Sequence, residues 1–216
     1  MLPSLLLAIA FFAVGPPNSS VSVLPETGDV NTIFAFRGSG WRAGPSVRAS
    51  YFVVASRGGG PRKTFTFRPR KNGSFVFKLT RPIGLVDSGV TSRMCFRQLR
   101  RRACADFYVA PPAAQFMPAT GSPGDVFLLV ASGFYAGRQL DATLTLPNAT
   151  TRTFALRTRQ AAALVEGGPF GPILVPRGGA AVRLVPRTTD PIGLYSILVV
   201  DPKAGSRARA ALVLEP

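Results

Sequence analysis

Apolar and polar residues alternate with period two along much of the chain. Thr64-Phe65-Thr66-Phe67 and Ser74-Phe75-Val76-Phe77-Lys78-Leu79 each put phenylalanine on one face, and Asn72-Gly73 between them is a strong short hairpin signal. The same pattern predicts strands over residues 32–37, 46–54, 91–97 and 102–109 in the first half. In the second half it predicts strands over 126–131, 139–146, 151–156, 180–185, 195–200 and 207–214. No stretch keeps the i, i+3, i+4 spacing through three turns, so the expected class is all-β.

The alternation carries a longer repeat. Phe34-Ala-Phe-Arg-Gly-Ser-Gly-Trp-Arg-Ala-Gly44 returns as Phe127-Leu-Leu-Val-Ala-Ser-Gly-Phe-Tyr-Ala-Gly137, 93 positions later. Pro25, Thr27, Gly28 and Ala49 recur at the same offset as Pro118, Thr120, Gly121 and Ala142. A repeat of this length is a domain-sized module, large enough to bury its own core. A second phrase, Pro82-Ile83-Gly84-Leu85, returns as Pro191-Ile192-Gly193-Leu194 at an offset of 109, so the second module is expected to have gained 16 residues. Residues 160–177 are rich in Ala, Gly and Pro and hold Leu164, Val165, Phe170, Ile173, Leu174 and Val175. They are expected to be the insertion and to pack on their own domain.

Leu5-Leu-Leu-Ala-Ile-Ala-Phe-Phe-Ala-Val14 is a ten-residue apolar run followed by small and turn-forming residues. It is about half the length needed to span a bilayer and reads as a secretory signal peptide. Leu24-Pro-Glu-Thr-Gly28 spells a sorting motif, but its counterpart at Pro118-Ala-Thr-Gly121 gives both the reading of a turn that leads into a strand. The expected division is 1–22 leader, 23–110 first domain, 111–114 proline-rich linker and 115–216 second domain.

Evenly spaced short strands with Gly/Pro punctuation indicate a sandwich, with Trp41 and Phe134 as core plugs. Pro-x-Gly-x-Tyr, ending at Tyr195, resembles the entry to a late sandwich strand where a tyrosine staples the corner. Together with the Ser-Gly-aromatic-x-Ala-Gly phrase, it makes both halves resemble the immunoglobulin-like repeat modules of bacterial secreted and surface proteins. That resemblance implies two tandem immunoglobulin-like β-sandwich domains after an N-terminal signal peptide, with an extracellular adhesive, spacer or ligand-presenting role. It carries over no catalytic or binding residue. Val86 stands where the phrase alignment puts Tyr195, so the first module departs from the pattern there.

Charge sharpens the picture. The chain has 26 Lys/Arg, 10 Asp/Glu and no histidine, for a net charge of +16. Residues 22–112 hold 16 basic and four acidic side chains (+12), whereas residues 113–216 hold ten and six (+4). A basic excess attracts anionic partners, although a general bias toward arginine would also produce it. Without histidine there is no triad base, no usual metal ligand and no near-neutral switch. No catalytic residue, metal site or cofactor is therefore expected, and the chain is read as a non-enzyme.

Cys95 and Cys104 are the only cysteines. In a secreted chain they are expected to form a disulfide, since eight intervening residues do not suit redox catalysis and two thiols without histidine make a poor zinc site. Alternation puts Met94, Phe96, Ala105, Phe107 and Val109 on the core face, and both cysteines outward. The bridge then pins a hairpin whose tip is Gln98-Leu99-Arg100-Arg101, crowded by Arg97, Arg100, Arg101 and Arg102. Arginine gives bidentate recognition of phosphate, sulfate and carboxylate, so these four are the candidate anion-binding residues. Arg68, Arg70 and Lys71 form a second basic group whose place relative to the first is open at this level.

The leading functional expectation is a secreted binding or adhesion protein. Its basic first module would engage an anionic polysaccharide or cell-envelope polymer, with no specific nucleic-acid target and no integral membrane segment. A structural spacer or assembly subunit, self-associating or bound to a partner protein, is the second reading. A carrier for a small apolar ligand, in a cleft lined by Phe65, Phe67, Phe75 and Phe77, is the third.

Overall fold

A computed structural model describes residues 19–54, 61–80 and 89–216. The expected leader run, the Pro82–Leu85 phrase and Val86 lie outside these residues. The described chain is all-β and forms two strand-rich lobes. The first contains β1 (Ser20–Leu24), β2 (Thr27–Gly28), β3 (Phe34–Ser39), β4 (Val47–Val53), β5 (Lys63–Phe67), β6 (Phe75–Leu79), β7 (Val90–Gln98) and β8 (Arg101–Val109). They make a three-stranded sheet β1-β3-β6 and a five-stranded sheet β2-β8-β7-β4-β5. Phe34, Phe36, Phe75 and Leu79 from one sheet meet Val47, Ala49, Tyr51, Met94, Phe96 and Phe107 from the other in one buried cluster.

The second lobe repeats this plan. It contains β9 (Ala113–Met117), β10 (Thr120–Gly121), β11 (Phe127–Ser132), β12 (Gln139–Thr145), β13 (Thr151–Arg157), β14 (Ala163–Glu166), β15 (Pro172–Val175), β16 (Ala180–Leu184), β17 (Gly193–Val200) and β18 (Arg207–Leu214). The sheets are β16-β11-β9 and β10-β18-β17-β12-β13, with β14 and β15 paired as a separate hairpin. Its core gathers Phe127, Leu129, Phe134, Leu140, Ala142, Tyr195, Ile197 and Leu212.

The repeated phrase builds the same corner twice. Gly40 and Gly133 take φ 74 and φ 76, a conformation that favours glycine, and the aromatic that follows, Trp41 or Phe134, turns into the core. The turns at Pro25 and Pro118 do more than lead into a strand. Both prolines follow cis peptide bonds. At each, the chain leaves the three-stranded sheet and runs parallel to the last strand of the five-stranded sheet, β2 on β8 and β10 on β18. The short strands β1, β2, β9 and β10 were not expected. β1 begins at Ser20, inside the expected leader, and β9 begins at Ala113, inside the expected linker, where Ala113 and Ala114 pair with Ser132 and Ala131.

Strand pairing locates the insertion. The offset between equivalent residues is 89 from Phe65 to Phe154 but 105 from Phe77 to Val182, so 16 residues enter between β13 and β16. They carry the β14–β15 hairpin. Val175 is fully buried, while Leu164 and Leu174, paired across the hairpin, point outward at 68% and 65% exposure. Tyr195 staples its corner as the sequence indicates: its hydroxyl donates to the Pro191 carbonyl at 2.6 Å. By strand register the first-lobe counterpart of Tyr195 is Ser92, not Val86, and the buried hydroxyls of Ser92 and Tyr51 lie 3.0 Å apart.

Phe65, Phe67, Phe75 and Phe77 fill their space with one another. Phe67 lies 4.8 Å from Phe75 and 5.5 Å from Phe77, and Phe75 lies 4.9 Å from Phe96, so they are core packing between β5 and β6.

The lobes are joined by a side chain as well as by the linker. Asn31 Nδ2 donates to the Phe134 carbonyl at 2.7 Å and the Arg177 carbonyl at 3.3 Å, and its Oδ1 accepts the Ala136 N–H at 3.0 Å. Tyr135 and Ala204 of the second lobe pack against the first-lobe core cluster.

Candidate anion-binding site

The five-stranded sheet of the first lobe sets the site. β4 buries Val47, Ala49 and Tyr51, so Arg48, Ser50 and Phe52 face outward. β7 buries Met94 and Phe96, and β8 buries Phe107 and Val109, so Arg93, Cys95 and Arg97 line up outward against Asp106, Cys104 and Arg102. Register then writes three rows across the outer face: Phe52–Arg93–Asp106, Ser50–Cys95–Cys104 and Arg48–Arg97–Arg102.

The middle row holds the disulfide. Cys95 and Cys104 are bonded and their Cα atoms are 4.1 Å apart. The bridge lies on the outer face as expected, but Cys95 is only 6% exposed because flanking side chains cover it. Arg97 and Arg102 stand two positions further along both strands, and therefore in the same closely spaced class of antiparallel pair. Arg48 stands directly opposite Arg97 on the other side. All three are exposed.

The row above shows what neutralisation looks like on this sheet. Arg93 Nε and Nη2 donate to the two carboxylate oxygens of Asp106 at 2.6 and 2.7 Å. The hydrogen bonding from Arg93 holds the Asp106 carboxyl below its ordinary range, against a smaller opposing effect of burial. Among the described residues the ion pairs are Arg93–Asp106 and Arg152–Asp190, and none of Arg48, Arg97, Arg100 or Arg102 takes part. Arg102 Nη2 reaches only the Cys95 sulfur, at 3.9 Å.

The tip is held differently from the sequence expectation. Gln98 is not an exposed tip residue but is 2% exposed. Its Nε2 donates to the carbonyls of Arg42 at 2.9 Å and Pro45 at 2.7 Å, and its Oε1 accepts the Arg42 N–H at 2.9 Å. Arg101 donates to the Gly40 carbonyl. Odd-numbered β8 residues face the core side, so Arg101 parts company with Arg102 and ties the hairpin to the loop after β3. The projecting tip is Leu99-Arg100, with Leu99 at φ 52 and 63% exposed. Two grooves flank it. One, about 490 Å³, is lined by Arg48, Ser50, Phe52, Cys95, Arg97, Arg101 and Arg102, together with the tip and Pro61. The other, about 660 Å³, runs past Arg42 and Gln98.

The second basic group joins the same end. The Gly73 carbonyl accepts the Trp41 N–H at 3.0 Å, so the turn after Arg68, Arg70 and Lys71 abuts the same loop that Gln98 and Arg101 hold. The described acids of this lobe lie elsewhere. Glu26 and Asp29 sit at the linker end, where the Glu26 carbonyl accepts the Tyr108 N–H, and Asp106 sits beside Arg93. The described acids thus lie away from the end where Arg42, Arg48, Arg97, Arg100, Arg101 and Arg102 gather.

The candidates Arg97, Arg100, Arg101 and Arg102 are thus brought to one end but split by role. Arg48 was missed, and Gln98 was read as part of the tip rather than as its buried anchor. Arg48 lies 49 positions before Arg97 in sequence, and only the pairing of β4 with β7 brings it alongside. Among the described residues no group of three or more His, Cys, Asp or Glu could hold a metal ion, and no helix is long and apolar enough to cross a membrane.

No family model matches this chain, and no curated protein matches it. Among solved structures it is similar to one described as "Crystal structure of tetra-tandem repeat in extending region of large adhesion protein", with 11% identity over 92% of this chain and a TM-score of 0.34. The match covers 49% of that structure, so this chain spans about half its length.

Proposed function

We propose that this is a secreted, non-enzymatic binding protein built from two immunoglobulin-like β-sandwich modules. The first module opens on β1 at Ser20 and runs to 110, the second opens on β9 at Ala113 and continues through residue 216, and a leader precedes Ser20. The first module engages an anionic polysaccharide or cell-envelope polymer through its basic end. The observation that carries this is the row Arg48–Arg97–Arg102, three cations abreast without an acid among them. Like charges directly opposite on a sheet cost about 0.2–1 kcal/mol per pair. An anion laid across the row removes that cost and gains charge-assisted hydrogen bonds. The disulfide and the Gln98 and Arg101 tethers fix the geometry in advance, so little ordering entropy is lost on binding.

The test is retention on an immobilised acidic polysaccharide and on DNA through a salt series. Wild type should hold the polysaccharide above physiological salt, with no sequence preference among DNAs. The triple variant Arg48→Ser, Arg97→Ser, Arg102→Ser should elute early with a melting temperature no lower than wild type, and the salt slope should fall by about three contacts. Elution of both proteins together at low salt would overturn the reading.

A second reading, an assembly subunit, is favoured by the outward pair Leu164 and Leu174 on the β14–β15 hairpin. Sedimentation decides it. A strict monomer over a wide concentration range removes this reading, whereas self-association abolished by Leu164→Ser supports it.

A further inference from the structure

Resting on the anion-site reading above, we infer that the groove takes a ring-bearing anion, an acidic saccharide unit, in preference to a bare chain of phosphates. The groove is two-sided in its chemistry. Its tip-proximal end is the Arg48–Arg97–Arg102 row, while further up β4 come Ser50 and then Phe52, both half-buried on the same outer face. Phe52 lies directly opposite Arg93, and Ser50 directly opposite Cys95. Between the arginines and the phenylalanine the groove is lined by Cys95 of the disulfide, which brings no charge of its own.

A ligand that is only charge uses the arginine end and leaves the rest of the groove wet. A saccharide ring uses both. Its carboxylate or sulfate meets the guanidinium groups, its hydroxyls can reach Ser50, and its polarised C–H face lies on the electron-rich face of Phe52. The position of Phe52 supports this. The outward positions of β4 and β5 are otherwise polar, with Arg48, Ser50, Thr64 and Thr66 neighbouring one another. The buried partners that hold β4 in the core, Val47, Ala49 and Tyr51, are on the opposite face, so core packing does not require an aromatic here. Arg93, directly opposite Phe52 on β7, is already paired with Asp106, and the exposed Arg62 continues the β4–β5 register beside Phe52.

The experiment compares two immobilised polymers, polygalacturonate and linear inorganic polyphosphate, with the full two-lobe protein, wild type and variants. Phe52→Ala and Phe52→Leu, the second keeping apolar bulk in case the first disturbs folding, should each lose about fivefold in affinity for polygalacturonate. Affinity for polyphosphate and the salt slope on both polymers should stay unchanged. The arginine triple variant should lose both polymers. If Phe52→Leu, with a wild-type melting curve, keeps its polygalacturonate affinity within twofold while the arginine variant loses both, the ring contact is overturned and the anion site stands. If the arginine variant loses neither polymer, the anion reading fails and this inference fails with it.

Discussion

The two lobes use the same end of the same frame in opposite ways. In the first lobe the end formed by the loop after β3, the turn before β6 and the β7–β8 tip is free and basic. In the second lobe the equivalent end, residues 133–137 and 201–206, is docked. Phe134 and Ala136 are hydrogen-bonded by Asn31, and Tyr135 and Ala204 lie against the first-lobe core cluster. The row that reads Arg48–Arg97–Arg102 in the first lobe reads Asp141–Val200–Arg207 in the second, an acid, an apolar residue and a base. The frame is indifferent to this choice, because the row lies outside the core in both lobes. Like charges are concentrated only at the end that stays open to solvent. The second lobe also lacks the joint: the residue 93 positions after Asn31 is Gly124, so a third lobe would find no equivalent side chain to receive it.

The largest difference to test is the covalent pin, which only the first lobe has. Replacing both Cys95 and Cys104 by alanine should cost about 2.5 kcal/mol, because the bridge closes a short loop, and should lower the first-lobe melting transition by about 10–20 °C. The second-lobe transition should stay in place. Calorimetry reads both, and equal shifts in the two would mean that the lobes unfold as one unit and that the comparison between them is wrong.

Next in size is the joint. Asn31→Ala removes three hydrogen bonds and leaves the Phe134 carbonyl and the Ala136 N–H without their partner, at a cost of about 1–2 kcal/mol. Small-angle scattering should then show a broader distribution of maximum dimension, with each lobe's own fold intact. An unchanged profile would mean that the linker and the Tyr135 and Ala204 packing set the angle without Asn31.

The joint also marks the limit of what could be read from sequence. Period-two alternation was enough to separate Met94 and Phe96 from Cys95 and Arg97, because a strand's two faces are a local property. The Ser-Gly-aromatic phrase named Trp41 and Phe134 as core plugs because it needs a left-handed glycine followed by a large apolar side chain. Tyr195 was legible through the resemblance of the Pro-x-Gly-x-Tyr run to the entry of a late sandwich strand. Arg48 and Asn31 were not, because each acquires its role from a partner on a distant strand, and register between strands is set by the packed core rather than by either segment. Gln98 was misread for a related reason. A glutamine beside a hairpin tip has the composition of solvent-exposed chain, and only the carbonyls of Arg42 and Pro45 make it a buried anchor.

The smallest effect compares the two ion pairs, one in each lobe. Asp190 is buried, accepts Arg152 at 2.7 and 3.2 Å and the Arg187 N–H at 2.8 Å, and precedes the Pro191 carbonyl that receives Tyr195. Hydrogen bonding from Arg152 holds its carboxyl below the ordinary range, with burial opposing. A depressed folded value means that the native state holds this proton less readily than the unfolded chain. The stability it contributes is therefore present above the ordinary carboxylate range, near about pH 4, and is lost as pH falls through the folded value. Asp190→Asn should cost up to about 1 kcal/mol at neutral pH, the estimate kept low because Arg152 is half exposed, and the gap from wild type should close in acid. Asp106→Asn should behave otherwise. Both members of its pair are nearly half exposed, so its melting curve should not move, but the change releases Arg93 in the row next to the disulfide and adds a free cation beside the groove. Retention on an acidic polysaccharide should then extend to higher salt, with the slope steeper by about one contact. If Asp106→Asn weakened retention instead, the Arg93–Asp106 pair would belong to the binding surface as a unit, and the division of this face into one neutralised row and one open row would have to be redrawn.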